Sequence, residues 1–276
     1  MSLPLLSETL PELWALAVDL SAELRAGQFL GWATLNSRLF ALLRPSLLEA
    51  CLARLPGWHQ IVSQREALTA RHTLLVLALA LNLPEYQAAS EPTQHEIEWA
   101  ALLHDLAKDY DRTPPLRDTS HPFRSAALVV SGLPALGFAP QPGVQAADLA
   151  RWAGLVRNAE RPESGQWLHD HTPLPEIIAL LHQHWGPETS ASRILKAILF
   201  HQSLPTLVAW TNPVLLTDTE LRAFLTPADL DVLLPLLIAD SDAWNLFDEP
   251  RLEYLAELRA NNAETRHRWA LGSQNA

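Results

Sequence analysis

The sequence predicts an all-α fold, and three of its features do so. Leucine and alanine dominate and glycine is scarce, 10 in 276 residues, which favours helix over strand. Apolar residues recur at three- and four-residue spacing along most of the chain, with no convincing strand alternation. Helix-start signals, a threonine with an acidic residue three positions on, precede several of those runs. At 48% hydrophobic and 18% charged residues the chain reads as globular, and its length suits one large domain or two small ones.

The elements follow in order. "TLPELWALAVDLSAEL" carries Thr9 and Glu12 as a capping box, Pro11 in the first turn, and apolar Leu13, Leu16, Ala17 and Leu20. "SRLFALLRPSLLEACLARL" is helical and split at Pro45. "TARHTLLVLALALNL" is apolar almost all round, so it is a buried central helix, closed by Pro84. "TQHEIEWAALLHDLAKDYDR" has Thr93 and Glu96 as a second capping box and ends at Pro114 and Pro115. "HPFRSAALVVSGL" gives a short helix. Residues 132 to 176 read as a long connection holding one helix, "AADLARWAGLVRN". "PEIIALLHQHW", "SRILKAILFHQ", "DTELRAFL" and "TPADLDVLLPLLIADSDAW" are helical, the last with Thr226 as N-cap and Pro227 at the first position. "RLEYLAELRANNAETRHRWAL" is an exposed, charged helix. Residues 1–50 are expected as an added N-terminal helical segment, and 51–276 as the main domain with an insertion at 132–190.

Composition narrows the function. A net charge of −11 argues against broad nucleic-acid binding, because counterion release needs a basic surface. It leaves room for a small nucleotide at a local metal centre. The single Cys51 rules out an intramolecular disulfide and a cysteine-based zinc cluster. The N-terminus lacks the basic region of a signal peptide, so a cytoplasmic location is expected. "LLVLALAL" is too short to span a membrane. The 11 histidines are many for this length and hint at metal chemistry.

The hint is sharpest at "WAALLHDLAKDY". On their helix His104 and Asp105 stand about 100° apart and can share one ion over the edge between them. Lys108 then projects from the face of His104. A metal beside an ammonium suits a phosphate. An isolated His–Asp pair more commonly caps or lines a surface. "LHDHTP" holds such a pair, His169–Asp170, in a loop with no apolar helix and no lysine one turn on.

Around His104 the company is richer. His72 starts a buried helix, His121 stands just before another, His201 ends a third, and Asp240 follows a long apolar run. A carboxylate there is costly unless paired or metal-bound. Alone, each has a bland reading as a cap or a satisfied core histidine. Together they form a nitrogen and oxygen set suited to Mn, Fe, Co, Ni or Zn, with Mg also admitted, and six ligands sharing one aspartate would serve two ions. "LLHQHW" offers His182 or His184 as rivals to His201, and residues two apart on a helix cannot both face one site. Arg112 and Arg124 are candidates for a second phosphate, or ordinary solvated cations. Trp185 and Trp244 lie close to site residues in sequence, as core packing or as platforms for a base.

The ordered His72, His104–Asp105 and Asp240 resemble the H…HD…D pattern of the HD-domain metal-dependent phosphohydrolases. "RHTLLVL", "AALLHDLAK" and "LLIADSDA" look like the HD domain of bacterial CCA-adding tRNA nucleotidyltransferases over roughly residues 58 to 245. "HDLAK" and "AILFHQ" are also similar to HD hydrolases that split diadenosine tetraphosphate. The resemblance implies an all-α helical bundle and a metal on His72, His104, Asp105 and Asp240. It implies a second ion on His121 and His201 with Asp105 bridging, and a substrate-phosphate contact for Lys108. The gaps from His121 to His201 and from His201 to Asp240 are longer than in compact members. Nothing resembles the nucleotidyltransferase catalytic domain, so tRNA end-addition is not implied, and the "GYP" segment of cyclic dinucleotide phosphodiesterases is absent. The expected function is hydrolysis of a phosphate ester or anhydride of a small nucleotide-like substrate by a metal-bound water, with Asp105 and Lys108 catalytic. The alternative is a non-catalytic metal- or nucleotide-sensing helical module.

Overall fold

A computed structural model describes residues 3–28, 68–108, 120–158, 166–204, 215–246 and 251–273, with shorter pieces at 34–35, 37–38, 41, 53–55, 57–58, 117–118 and 160–163. The fold is all-α. The described helices, in chain order, are α1 (Leu6–Thr9), α2 (Pro11–Arg25), α3 (Leu68–Ala80), α4 (Pro84–Ala88), α5 (Glu91–Leu103), α6 (His121–Gly132) and α7 (Ala146–Asn158). They continue with α8 (Leu174–Trp185), α9 (Ser190–Phe200), α10 (Asp218–Phe224), α11 (Pro227–Asn245) and α12 (Arg251–Ser273). None is long and apolar enough to cross a membrane.

The central helices are those whose sequences are apolar on most faces. Every residue of α3 from Thr69 to Ala80 is buried. It packs against α2, α5 and α11, while α9 packs against α5, α6 and α11. α7 covers α6, α8 packs on α7, and α12 lies along α11. One continuous core runs through these helices, and Leu6, Leu10, Leu13 and Leu20 of the N-terminal helices belong to it. The expected boundary near residue 50 lies outside the described residues.

Helix starts correct part of the sequence reading. The N-cap of α2 is Leu10, which offers no side-chain cap, and Thr9 Oγ1 instead donates to Leu5 O at 2.8 Å. α5 begins three residues earlier than its threonine suggests, with Ser90 as N-cap accepting from Thr93 N. Glu96 is thereby freed from capping and turns inward to Arg193 of α9 at 2.8 Å. Pro84 does not close α3; it opens α4 after a turn. Thr226 is the N-cap that was expected, and it forms a capping box with Asp229; a second box, which the sequence reading did not single out, pairs Thr217 with Glu220.

A small sheet was not visible in the sequence. Strands β1 (Arg117–Asp118), β2 (Glu160–Glu163) and β3 (Gln166–His169) lie in the order β1-β3-β2, with β2 antiparallel and β1 parallel to β3. Two to four residues are too few to show an alternation, and β2 contains Pro162. His169 therefore ends a strand, and only Asp170 lies in the following turn, where Oδ1 accepts from Thr172 N at 2.9 Å and from Thr172 Oγ1 at 2.7 Å. That local turn is the bland role expected of this aspartate.

Candidate metal centre

Five helices bring six side chains to one point inside the bundle. His72 comes from α3, His121 opens α6, and Asp240 projects from α11. His104 and Asp105 follow the last residue of α5, and His201 follows the last residue of α9. His72, His104, Asp105 and His201 expose none of their surface, His121 1% and Asp240 6%.

His104 and His201 are built alike. Each is the C-cap of its helix, and each donates from Nδ1 to the carbonyl three residues back, Ala101 O at 2.8 Å and Ile198 O at 2.9 Å. The last turn of a helix leaves carbonyls without intrahelical donors, so the imidazole satisfies one of them. That bond fixes the ring and leaves Nε2 to point into the cluster.

The helix does not carry on through Asp105 to Lys108, as the sequence suggested. After Leu103 the chain turns, and Lys108 N donates to Asp105 O at 3.0 Å. α6 captures this turn: Ala107 N donates to Ser125 Oγ at 3.1 Å, and Arg124 donates to Ala107 O at 3.2 Å. Lys108 still reaches the site, with Nζ 2.7 Å from Asp105 Oδ2, but through a turn rather than along a helix face.

Asp105 joins two groups of donors. Ligand atoms of His72, His104, Asp105 and Asp240 all lie within 4.8 Å of one another, and so do those of Asp105, His121 and His201. On one side Asp105 Oδ2 is 3.6 Å from His72 Nε2 and 3.5 Å from His104 Nε2. On the other Oδ1 is 2.9 Å from His121 Nε2 and 3.7 Å from His201 Nε2. Asp240 Oδ1 is 2.8 Å from His72 Nε2 and 3.7 Å from His104 Nε2.

Three of these inward atoms, His104 Nε2, His201 Nε2 and Asp105 Oδ1, are buried and meet no partner in good hydrogen-bond geometry, their neighbours being one another and the other inward groups, such as His121 Nε2 at 2.9 Å from Asp105 Oδ1. Buried polar atoms left without a well-aligned hydrogen bond each cost about 1–3 kcal/mol. Several converging on one point are the donors a divalent cation takes up, and nitrogen with carboxylate oxygen suits a first-row transition ion. These groups could hold a metal ion.

The electrostatics agree with a site built around positive charge. Burial pushes the Asp105 carboxyl up, but His104, Lys108 and His121 outweigh it and hold it well below the usual carboxylate range. Burial likewise raises Asp240, and hydrogen bonds and charge from His104 and His72 hold it well below that range. Burial lowers His104, yet Asp105 and Asp240 pull it up to about 10. Burial, with His104 and His121 as positive neighbours, drives His201 down to about 3. His72 is lowered, mainly by burial.

Other candidates divide cleanly. His201, and neither His182 nor His184, stands in the cluster. His182 feels Lys196 and Asp229, and His184 feels Asp148 and Arg151, which places both elsewhere. Arg124 spends hydrogen bonds on Ser120 Oγ at 2.9 Å and on Ala107 O, so it braces the 104–107 turn. Arg112 lies outside the described residues. Trp185 is buried core. Trp244 is different: it is 43% exposed and its ring stacks on His72 at 4.4 Å and 25°. Ser125 and the His72–Trp244 stack escaped the sequence reading. The second had a signal, since Asp240 and Trp244 are one turn apart on one helix. Comparison with protein-family models, curated proteins and solved structures finds no match.

Proposed function

We propose that this chain is a metal-dependent phosphoric ester hydrolase of the HD-domain type, acting on a small nucleotide-like phosphate. The observation that carries the reading is the pair of donor groups sharing Asp105, with Lys108 Nζ 2.7 Å from the shared carboxylate. His72, His104, Asp105 and Asp240 would hold one divalent ion, and His121 and His201 with Asp105 a second. Such ions supply Lewis acidity and a water acidic enough to react near neutral pH.

The residues do the remainder. Asp105 presents one oxygen to each donor group and stays ionised. Lys108 offers an ammonium to the phosphoryl oxygens as charge builds on them. The walls exclude bulk water, which strengthens every charge interaction inside. Among the described residues of the centre Trp244 is 43% exposed and the buried Lys108 and Asp240 keep 8% and 6% of their surface, so that side is where a phosphate would arrive.

A second reading draws on the burial itself. A cluster with four members at 0% exposure also suits a cation held as a structural or sensory element, without turnover. One experiment separates the two. The purified protein is analysed for bound metal and then assayed on bis-nitrophenyl phosphate and a panel of mono-, cyclic and dinucleotides with Mn, Ni or Co. The hydrolase reading expects turnover that Asp105→Ala abolishes together with metal binding. Full activity in Asp105→Ala would sink it, and bound metal with no turnover across the panel would favour the sensor.

A further inference from the structure

The three histidines nearest the first donor group are not secured alike. His104 and His201 each anchor Nδ1 on a carbonyl of the preceding turn. His72 Nδ1 is buried and has no hydrogen bond, so only Nε2, bonded to Asp240 at 2.8 Å, holds that ring by a polar contact. One hydrogen bond at one nitrogen fixes the imidazole less than two would, and leaves its orientation to the groups packed on its faces. A metal ligand normally has its other nitrogen tied down.

A flat group fills that role. The Trp244 ring lies 4.4 Å from the His72 ring, inclined by 25°. It is 43% exposed, so core burial does not account for its place. It stands four residues after Asp240 on α11, and one helix face thus grips His72 at the nitrogen and on the ring. Lys108 Nζ sits 5.2 Å from the centre of the indole, within cation–π range, while bonding Asp105.

We propose that Trp244 is a positioning residue of the centre: its indole orients His72 for cation binding and holds the Lys108 ammonium beside Asp105. The inference rests on reading the cluster as a metal centre.

The test uses the full chain, stripped with chelator and titrated with Co(II) against a chromophoric chelator. Trp244→Phe keeps an aromatic face, whereas Trp244→Leu keeps apolar bulk without one. Trp244→Leu is expected to weaken Co(II) binding by about tenfold or more and to alter the visible Co(II) bands. Trp244→Phe should stay near wild type on both counts. Equal affinities for Leu and wild type, or equal weakening by Phe and Leu, would overturn the proposal. Tryptophan emission gives a second readout that needs only the Phe variant. Bound Co(II) should quench wild-type emission, and Trp244→Phe should lose much of that quench; an unchanged quench would refute the contact. A wild type that binds no Co(II) fails before any variant is made, which marks failure of the metal-centre reading itself.

Discussion

An ammonium group 2.7 Å from a carboxylate works against any cation that the carboxylate is meant to hold. Lys108 would therefore be a poor choice if the centre existed only to bind metal. It is a reasonable one if the centre must also receive an anion, because the ammonium can swing from Asp105 to a phosphoryl oxygen. This gives opposite signs for two measurements on one variant. Lys108→Met should leave metal affinity unchanged or tighten it, while kcat/KM on a phosphodiester falls about 100-fold, the loss typical of one preorganised donor. Competition binding and steady-state kinetics on the same preparation check it; parallel loss of metal and activity would show that Lys108 only braces Asp105. Single residues were the most legible level of this protein. His72, His104, Asp105, His121, His201 and Asp240 stood out because a polar group beside an apolar run needs a reason. The choice between His201 and the pair His182 and His184 was not legible, since it depends on how α8 and α9 are placed.

At the scale of elements, the centre depends on where helices stop. α5 and α9 both end one residue before a site histidine, and in both the imidazole caps a carbonyl of the last turn. Periodicity marked the helices but ran α5 on through Lys108, because the residues that end it are on α6. Ser125 and Arg124 hold the 104–107 turn by hydrogen bonds that no local pattern encodes. Ser125→Ala should leave Ala107 N–H without its partner, costing about 1 kcal/mol in urea unfolding and loosening metal binding as the turn relaxes. The buried Lys196–Asp229 pair sets the other end of the frame. Both side chains are 1% exposed, Nζ lies 2.9 Å from Oδ2, and the same carboxylate caps α11 at Thr226. Lys196→Met strands that carboxylate and should lower stability by about 3 kcal/mol in the same assay. A drop below about 1 kcal/mol would mean that the capping bonds alone hold Asp229. Such pairings join residues far apart in sequence, which is why helix spacing showed the helices and not their mutual placement.

For the whole molecule, a buried cluster of imidazoles and carboxylates makes the stability of the metal-free chain depend on pH from both directions. His201 titrates at about 3 in the folded chain, against about 6.5 for an ordinary imidazole. Between those values the unfolded chain takes up a proton that the folded one refuses, so stability falls as pH drops. His72, lowered for the same reason, adds to that loss. Asp105 and Asp240, held well below the carboxylate range, extend it from about pH 4 downward. His104 acts in the opposite sense. Its folded value of about 10 lies above the unfolded one, so its contribution is full below about pH 6.5 and is lost as pH rises towards 10. The chelated protein should therefore melt at its highest temperature close to pH 6.5, with a fall on each side. His104→Gln should erase the alkaline fall and keep the acid one, and a wild-type profile flat from pH 6.5 to 9 would contradict the charge arrangement. Adding a divalent ion should raise the melting temperature more at pH 8 than at pH 6. Binding displaces the His104 proton, and that displacement becomes easier as pH rises. The proton on His104 and a bound cation would thus be alternatives for the same negative pocket formed by Asp105 and Asp240.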